Sequence, residues 1–236
     1  MERRRARRRL ALIALACLLP ACATAPPPPQ RSTPLRRASA ATPATWPRRD
    51  VLDLALQAYQ CGRAQGYFHQ PTLTVIDYSL PSSERRLWVI DLQRRRVLFN
   101  ELVAHGLNSG DERAYSFSNR EGSKQSSLGL FRTDETYFGR HGYSLRLSGL
   151  EPGVNDLARE RAIVIHGAPY VSRAHVAVWG GVGRSWGCPA LDQAVSPRVI
   201  DRIQGGSAVF AYYPDRDWLS TSPFLHCGRY ARSEDR

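Results

Sequence analysis

Hydrophobic positions along the chain mostly fall into short runs with the alternation of strands, and the one clear helical face comes first. After Asp50 the run VLDLALQAYQ puts Val51, Leu54, Ala55 and Ala58 on one side, with Asp50 as the expected N-cap and Cys61-Gly62 as the stop. Residues 72–79 (TLTVIDYS) and 86–91 (RLWVID) predict strands, separated by the turn formers Pro81-Ser82-Ser83. Val97–His105 predicts a third strand, ending at Gly106. Leu128–Tyr137 and Tyr143–Leu150 predict two more, with a turn at Gly139–Gly142 between them. Pro152-Gly153-Val154-Asn155-Asp156 opens a short helical stretch, and Ile163–Val164–Ile165 begins an apolar strand that stops at His166-Gly167. A loop of small residues follows, then a helix over Asp192–Ile203 closed by Gly205-Gly206, then a last strand over Ser207–Tyr213. Six or seven strands against two or three helices make a β-dominated α+β domain, with no internal repeat.

Upstream of Asp50 the pattern changes. MERRRARRR precedes an apolar stretch from Leu10 to Leu19 and then Pro20-Ala21-Cys22, the charged, apolar and small-residue order of a secretory signal. The apolar run is well short of the roughly 18–20 residues a membrane-spanning helix needs. Leu19-Pro20-Ala21-Cys22 resembles a lipobox, which makes Cys22 the expected lipid acceptor. An ordinary cut after Ala23 or Ala25 is the competing reading, with Pro26 arguing against the second. Paired arginines before Leu10 are a weak hint of twin-arginine export. The expected organisation is a signal over 1–21, a Pro/Ala-rich tether over 22–49, a domain over 50–214 and a C-terminal tail over 215–236. The protein is thus expected to be exported to the periplasm or cell envelope, touching membrane only through its leader or lipid anchor.

Composition changes the picture in two places. The formal net charge of +12 is local: eleven arginines and one acid, Glu2, fall in residues 1–49, leaving 22 basic and 20 acidic residues for the rest. With the domain nearly balanced, the high net charge says little about a nucleic-acid surface, and no nucleic-acid partner is expected. The tract APPPPQRSTPLRRASAATPATWP carries too little apolar content to fold and reads as a semi-extended tether. The roughly 187 residues beyond it suffice for one well-filled core. Of the five cysteines, Cys17 lies in the leader and Cys22 at the lipobox. Cys61 and Cys227 flank the domain and are expected to form a disulfide in an oxidising compartment; two buried free thiols are the alternative. Cys188 remains.

The chemistry is concentrated in residues 163–191, IVIHGAPYVSRAHVAVWGGVGRSWGCPAL. An apolar strand delivers an imidazole, His166, and a tight turn, Ser185-Trp186-Gly187-Cys188-Pro189, presents a thiol beside glycine. A thiolate is a strong acyl-transfer nucleophile and an imidazole can generate it near neutral pH. Gly187 lets the backbone approach a substrate and aim amide N–H groups at a developing oxyanion. His166 as a core histidine and His175 as the base are open alternatives. A zinc site from His166, His175 and Cys188 lacks a Cys-x2-Cys pair and a fourth ligand, so no metal is expected. The run Gly180-Gly181-x-Gly183 lacks the lysine and strand–helix setting of a phosphate loop.

This segment resembles the catalytic core of the murein L,D-transpeptidases, in which a His at a strand end and a loop lead to Ser/Thr-His-Gly-Cys. It is most similar to the branch with Ser-Trp-Gly-Cys-Pro-Ala, here within Arg184–Ala190. VAHGLNSG (103–110), FSN (117–119), SSLG (126–129), YFGRHG (137–142) and LRLSGL (145–150) resemble that branch too, so the similarity runs from about residue 50 to 214. Two departures stand out: Trp186 replaces the usual second imidazole, and Pro189-Ala190 replace a hydrophobic residue followed by Arg or Asn.

The resemblance implies an L,D-transpeptidase-like mixed β-sandwich with a few flanking helices, acting on tetrapeptide stems of peptidoglycan without a cofactor. It implies Cys188 as nucleophile, His166 as base, and the Gly167 carbonyl as the group that holds the imidazole. It implies that the N–H groups facing the oxyanion are those around Gly187 and Cys188. It implies Ser185, Trp186, Arg184, Tyr137 and His141 as substrate-binding residues. Arg184 or Arg173 would stand in for the lost polar group by pairing a stem carboxylate; the alternative for both is solvated surface. The expected reaction is a transpeptidation through a cysteine thioester. An L,D-carboxypeptidase with the same intermediate and a non-catalytic wall-binding lipoprotein stay open, while papain-like endopeptidases have the opposite Cys-then-His order.

Overall fold

The computed structural model describes residues 46–227. The expected leader, the expected lipidation at Cys22, the expected tether as far as residue 45 and residues 228–236 of the expected tail lie outside the described residues. Helix α1 (Arg49–Ala64) starts two residues before the expected position: its N-cap is Arg48, which makes no side-chain cap bond, and Asp50 sits in the first turn. There its charge opposes the helix dipole. The helix also runs through Cys61-Gly62 rather than stopping. A Cβ at Gly62 would come within 2.5 Å of the Phe68 ring, so this glycine serves close packing, not termination. Val51, Ala55 and Ala58 are fully buried, and Cys61 is joined to Cys227 by a disulfide.

Eight strands follow: β1 (Thr72–Asp77), β2 (Leu87–Asp91), β3 (Arg96–Glu101), β4 (Gly129–Gly139), β5 (Gly142–Gly149), β6 (Val164–Ala168), β7 (Ala190–Asp192) and β8 (Ala208–Tyr212). They form one mixed sheet in the order β3-β2-β1-β8-β4-β5-β6-β7, parallel at β1/β8 and β6/β7 and antiparallel elsewhere. The central strands β1 and β8 are buried along their whole length, as apolar runs such as Val209-Phe210-Ala211 require.

The sheet curls in a barrel-like way, and two observations show it. Helix α3 (Ser196–Ile203) contacts β1, β5 and β6, strands that are not all neighbours in the sheet, so the sheet wraps around it with Val199, Ile200 and Ile203 fully buried. At the open side, the chain leaving β3 reaches β7: Ala104 N–H donates to Ala190 O (2.9 Å) and Ser185 N–H to His105 O (2.9 Å). That is why the expected strand over 97–105 breaks at Glu101; its second half exchanges β2 for the segment 185–190.

Other boundaries also differ. Residues 152–156 form turns, not a helix, because Asn155 is spent on the backbone: its amide donates to Leu128 O and Leu130 O, and its oxygen accepts from Glu151 N–H. Helix α3 begins at Ser196, where Pro197 fits the first turn; Asp192 ends β7 instead. The loop after His166 contains α2 (Arg173–Trp179), and the expected tail after residue 214 contains α4 (Arg216–Thr221), which buries Trp218.

Candidate active site

His166 lies within β6, not at its end. It pairs with Ser144 on one side and Ala190 on the other, and Gly167 and Ala168 extend the ladder to Leu191 and Asp192. The parallel register sets Cys188, two residues before Ala190, level with Val164, two residues before His166. Val164 N–H accordingly donates to Cys188 Sγ (3.5 Å). Side chains two apart on a strand share a face, so this register aligns thiol and imidazole along one edge.

The imidazole's orientation follows from its partner. A carbonyl only accepts, so the 3.0 Å contact between His166 Nδ1 and Gly167 O makes Nδ1 the donor and leaves the Nε2 lone pair free. Burial lowers the His166 pKa from its ordinary value, and the neighbouring His141 acts in the same direction. His141, at the β4–β5 hairpin tip, stacks on His166 with ring centroids 4.4 Å apart. Burial pushes the Cys188 thiol up, against the Val164 N–H and the positive charge of Arg161, which pull it down. The thiol itself donates to Ala162 O (3.6 Å). Burial thus disfavours the charged form of both groups.

The turn that carries Cys188 is fixed from within and below. Ser185, a sequence candidate for substrate contact, is instead buried: its hydroxyl donates to Cys188 O (2.7 Å) and accepts from Gly187 N–H (3.0 Å). The same bond occupies the Gly187 N–H, expected at an oxyanion, inside the turn. Gly187 is needed for another reason: φ is +121°, and a Cβ would fall 2.6 Å from Gln125 O. Ser126 Oγ accepts from Gly106 N–H (3.0 Å) and donates to Gly187 O (3.1 Å).

Beneath this lies a set of buried groups that sequence reading did not single out. The Ser126 side chain hydrogen-bonds the fully buried Tyr78, whose pKa burial pushes up to about 12. The guanidinium of Arg86, fully buried, sits 5.3 Å from the Tyr78 ring centre and donates to Leu80 O, Val103 O and His105 Nδ1 (2.7 Å). Because Arg has no acceptor, His105 carries its proton on Nε2, which donates to Gly110 O (3.2 Å). Burial, aided by the Arg86 charge, brings the His105 pKa down to about 4. The available signals were the VAHGLNSG and SSLG stretches, which hold His105 and Ser126; nothing local marked Arg86 or Tyr78.

The remaining candidates line the surface. Trp186 is 68% exposed, with Lys124 Nζ 4.9 Å from its ring centre. Arg184 pairs with Asp111 and donates to Gly110 O. Tyr137 is covered by Arg146 (4.3 Å), and Arg173 donates to Ser83 O (3.2 Å). His175 is held on α2, its Nδ1 donating to Gly181 O (2.9 Å), and faces a cleft of about 450 Å³ with Asp111, Glu112, Trp179 and Arg184 in its wall. A larger apolar cavity, about 920 Å³ beside α1 and β2, shares no residue with this site. Among the described residues, no group of three His, Cys, Asp or Glu side chains is placed to hold a metal.

The family described as the L,D-transpeptidase catalytic domain matches residues 45–212. No curated protein sequence matches the chain. Among solved structures, an L,D-transpeptidase from Mycobacterium smegmatis is similar at 14% identity and a TM-score of 0.38, over 61% of this chain and 59% of that one. L,D-transpeptidase 3 from Mycobacterium tuberculosis gives 14% and 0.36, over 61% of each chain. The helical cell shape determining protein Pgp2 from Campylobacter jejuni gives 12% and 0.42, over 80% of this chain and 66% of that one. This chain spans about three fifths of the length of the two L,D-transpeptidases.

Proposed function

Since this chain belongs to the L,D-transpeptidase catalytic domain family, we propose that it is a peptidoglycan L,D-transpeptidase working through a Cys188 thioester. The observation that carries the reading is the β6/β7 register, which aligns Cys188 with an imidazole whose Nδ1 is tied to Gly167 O and whose Nε2 is free. A core histidine would not need a free nitrogen along the edge that holds the buried free thiol of Cys188.

In this reading His166 Nε2 takes the thiol proton as Cys188 Sγ attacks the carbonyl of the third stem residue. The bond to the terminal D-alanine breaks, and the imidazolium returns the proton to the departing amine. The thioester is resolved by a side-chain amine of a second stem, which loses its proton to His166 as Sγ leaves, giving a 3→3 cross-link. Water in place of that amine gives a carboxypeptidase. Asp111 and Glu112, in the wall of the cleft that includes Arg184, suit an acceptor that arrives as a cation. The exposed ring of Trp186 beside Lys124 suits the donor stem. Export, lipidation at Cys22 and an envelope location complete the proposal, resting on the leader sequence.

The test is product analysis by chromatography and mass spectrometry after incubating the full-length protein with disaccharide tetrapeptide, beside Cys188→Ala. Cross-linked dimers lacking D-alanine, formed by the wild type only, are expected. Trimmed monomer alone would assign the carboxypeptidase, and no product from folded wild type would favour a wall-binding role. Retained turnover in Cys188→Ala would reject the thioester.

A further inference from the structure

Arg161 sits at the end of the turn-rich segment that feeds β6, one residue before Ala162. Ala162 has φ of +53°, an uncommon conformation for a residue with a side chain, and its carbonyl is the acceptor of the Cys188 thiol. The Arg161 fork faces the other way into the 118–127 segment. Nη1 donates to Ser118 O (2.6 Å) and Ser127 Oγ (2.5 Å), while Nη2 donates to Gln125 O (2.7 Å) and Ser123 Oγ (3.2 Å). Gln125 O is the atom against which Gly187 packs. One side chain thus joins the backbone that receives the thiol, the segment under the catalytic turn and, through Gln125, the turn itself.

Every acceptor in that set is neutral, and among the described residues Arg161 forms no ion pair. A partly buried guanidinium without a carboxylate is costly, since nothing nearby cancels its charge. If clamping the 118–127 segment were the whole task, a neutral donor would serve. Arg161 is a positive side chain that pulls the Cys188 thiol down, the phenols of Tyr78 on the β1 side and Tyr170 after β6 lie within the field of the same sulfur, and the stacked imidazoles of His166 and His141 belong to the same site. Burial pushes both phenols up to about 12, so they are neutral in the working range and Arg161 supplies the charge.

We propose that Arg161 is a positioning residue whose uncompensated positive charge stabilises the Cys188 thiolate while its fork holds the segment beneath the catalytic turn. The proposal rests on Cys188 being the nucleophile. No bond is made or broken by Arg161; the charge lowers the cost of the sulfur's negative charge after the proton has moved to His166.

The test follows alkylation of Cys188 by iodoacetamide against pH in the full-length protein, read by mass spectrometry of the Cys188 peptide, with folding checked by circular dichroism. Arg161→Gln is expected to raise the midpoint and slow alkylation below it about tenfold, the equivalent of one pKa unit. Arg161→Lys keeps the charge and loses the fork, so its midpoint stays near that of the wild type. An unchanged midpoint in Arg161→Gln, or a midpoint in Arg161→Lys raised as far as in Arg161→Gln, overturns the proposal. If Arg161→Gln does not fold, Arg161→Lys decides alone: a wild-type midpoint supports the role of charge and a raised one rejects it. Alkylation does not depend on turnover, so a failed product assay with an intact midpoint shift would sink the transpeptidase reading and leave this one standing.

Discussion

A general base must be neutral before it can take a proton, and in the proposed reaction the surroundings of His166 favour its neutral form. Burial and the stacked His141 both depress its pKa below the ordinary 6.5. In the proposed reaction, kcat/KM for the donor stem rises with pH through a limb set by His166, and that limb is expected below 6.5. His141→Ala removes the stacked ring that helps lower the His166 pKa, and part of its cover, so the limb moves upward. A pH–rate profile of the two proteins checks this; a wild-type limb at or above 6.5 contradicts the assignment. The shift also bears on folding. Below about 6.5 the unfolded chain accepts protons at His166 and His105 that the folded protein refuses, at His105 down to about 4, so their contribution to stability is full above 6.5 and declines as pH falls through this range.

At the scale of elements, the site depends on short pieces held by buried polar bonds. Where β5 ends, the fully buried Glu151 carboxylate accepts from Leu130 N–H (2.7 Å) and from Trp218 Nε1 (2.9 Å), linking β4 to α4. Glu151→Ala strands both donors and opens a cavity, and is expected to cost about 2–4 kcal/mol. Urea denaturation of the variant measures it; a loss under about 0.5 kcal/mol would show that water or a neighbour replaces the carboxylate. These pieces also mark where sequence reading stopped. The longer strands and α3 were legible because their apolar positions keep a period. Helix α2 was missed although Ser172 caps it, accepting from His175 N–H, and Gly180 ends it in the left-handed region; none of its residues is buried, so no apolar period marks it. Helix α4, capped by Asp215, is too short for a period to form. Strand β7 is three residues long and exists because β6 lies beside it. His166 and Cys188 could be found because their residue types carry chemistry. Arg86, Tyr78 and Arg161 act through burial and long-range contacts, which a linear pattern does not encode.

At the scale of the whole molecule, the described chain is closed by the Cys61–Cys227 bond, which spans 166 residues. A cross-link over so long a loop restricts the unfolded chain strongly, and its loss is expected to cost about 2–4 kcal/mol. Chemical denaturation of Cys227→Ser against wild type should show a lower midpoint; equal midpoints would mean that the bond contributes nothing to equilibrium stability. The same bond ties α1 to the region after α4, so both ends of the eight-stranded sheet lie within one covalent ring.

That ring has a mechanical consequence. Tension applied between the two ends of the described chain passes from α1 through the disulfide to the C-terminal side and never loads the β-ladders between them. The strands that hold His166 and Cys188 would stay assembled while the outer residues were drawn straight. Only after reduction could the enclosed loop, a sequence separation of 166, pay out, adding roughly 550–600 Å of contour length. The site is thus shielded from pulling along its own chain by a bond that touches none of its residues.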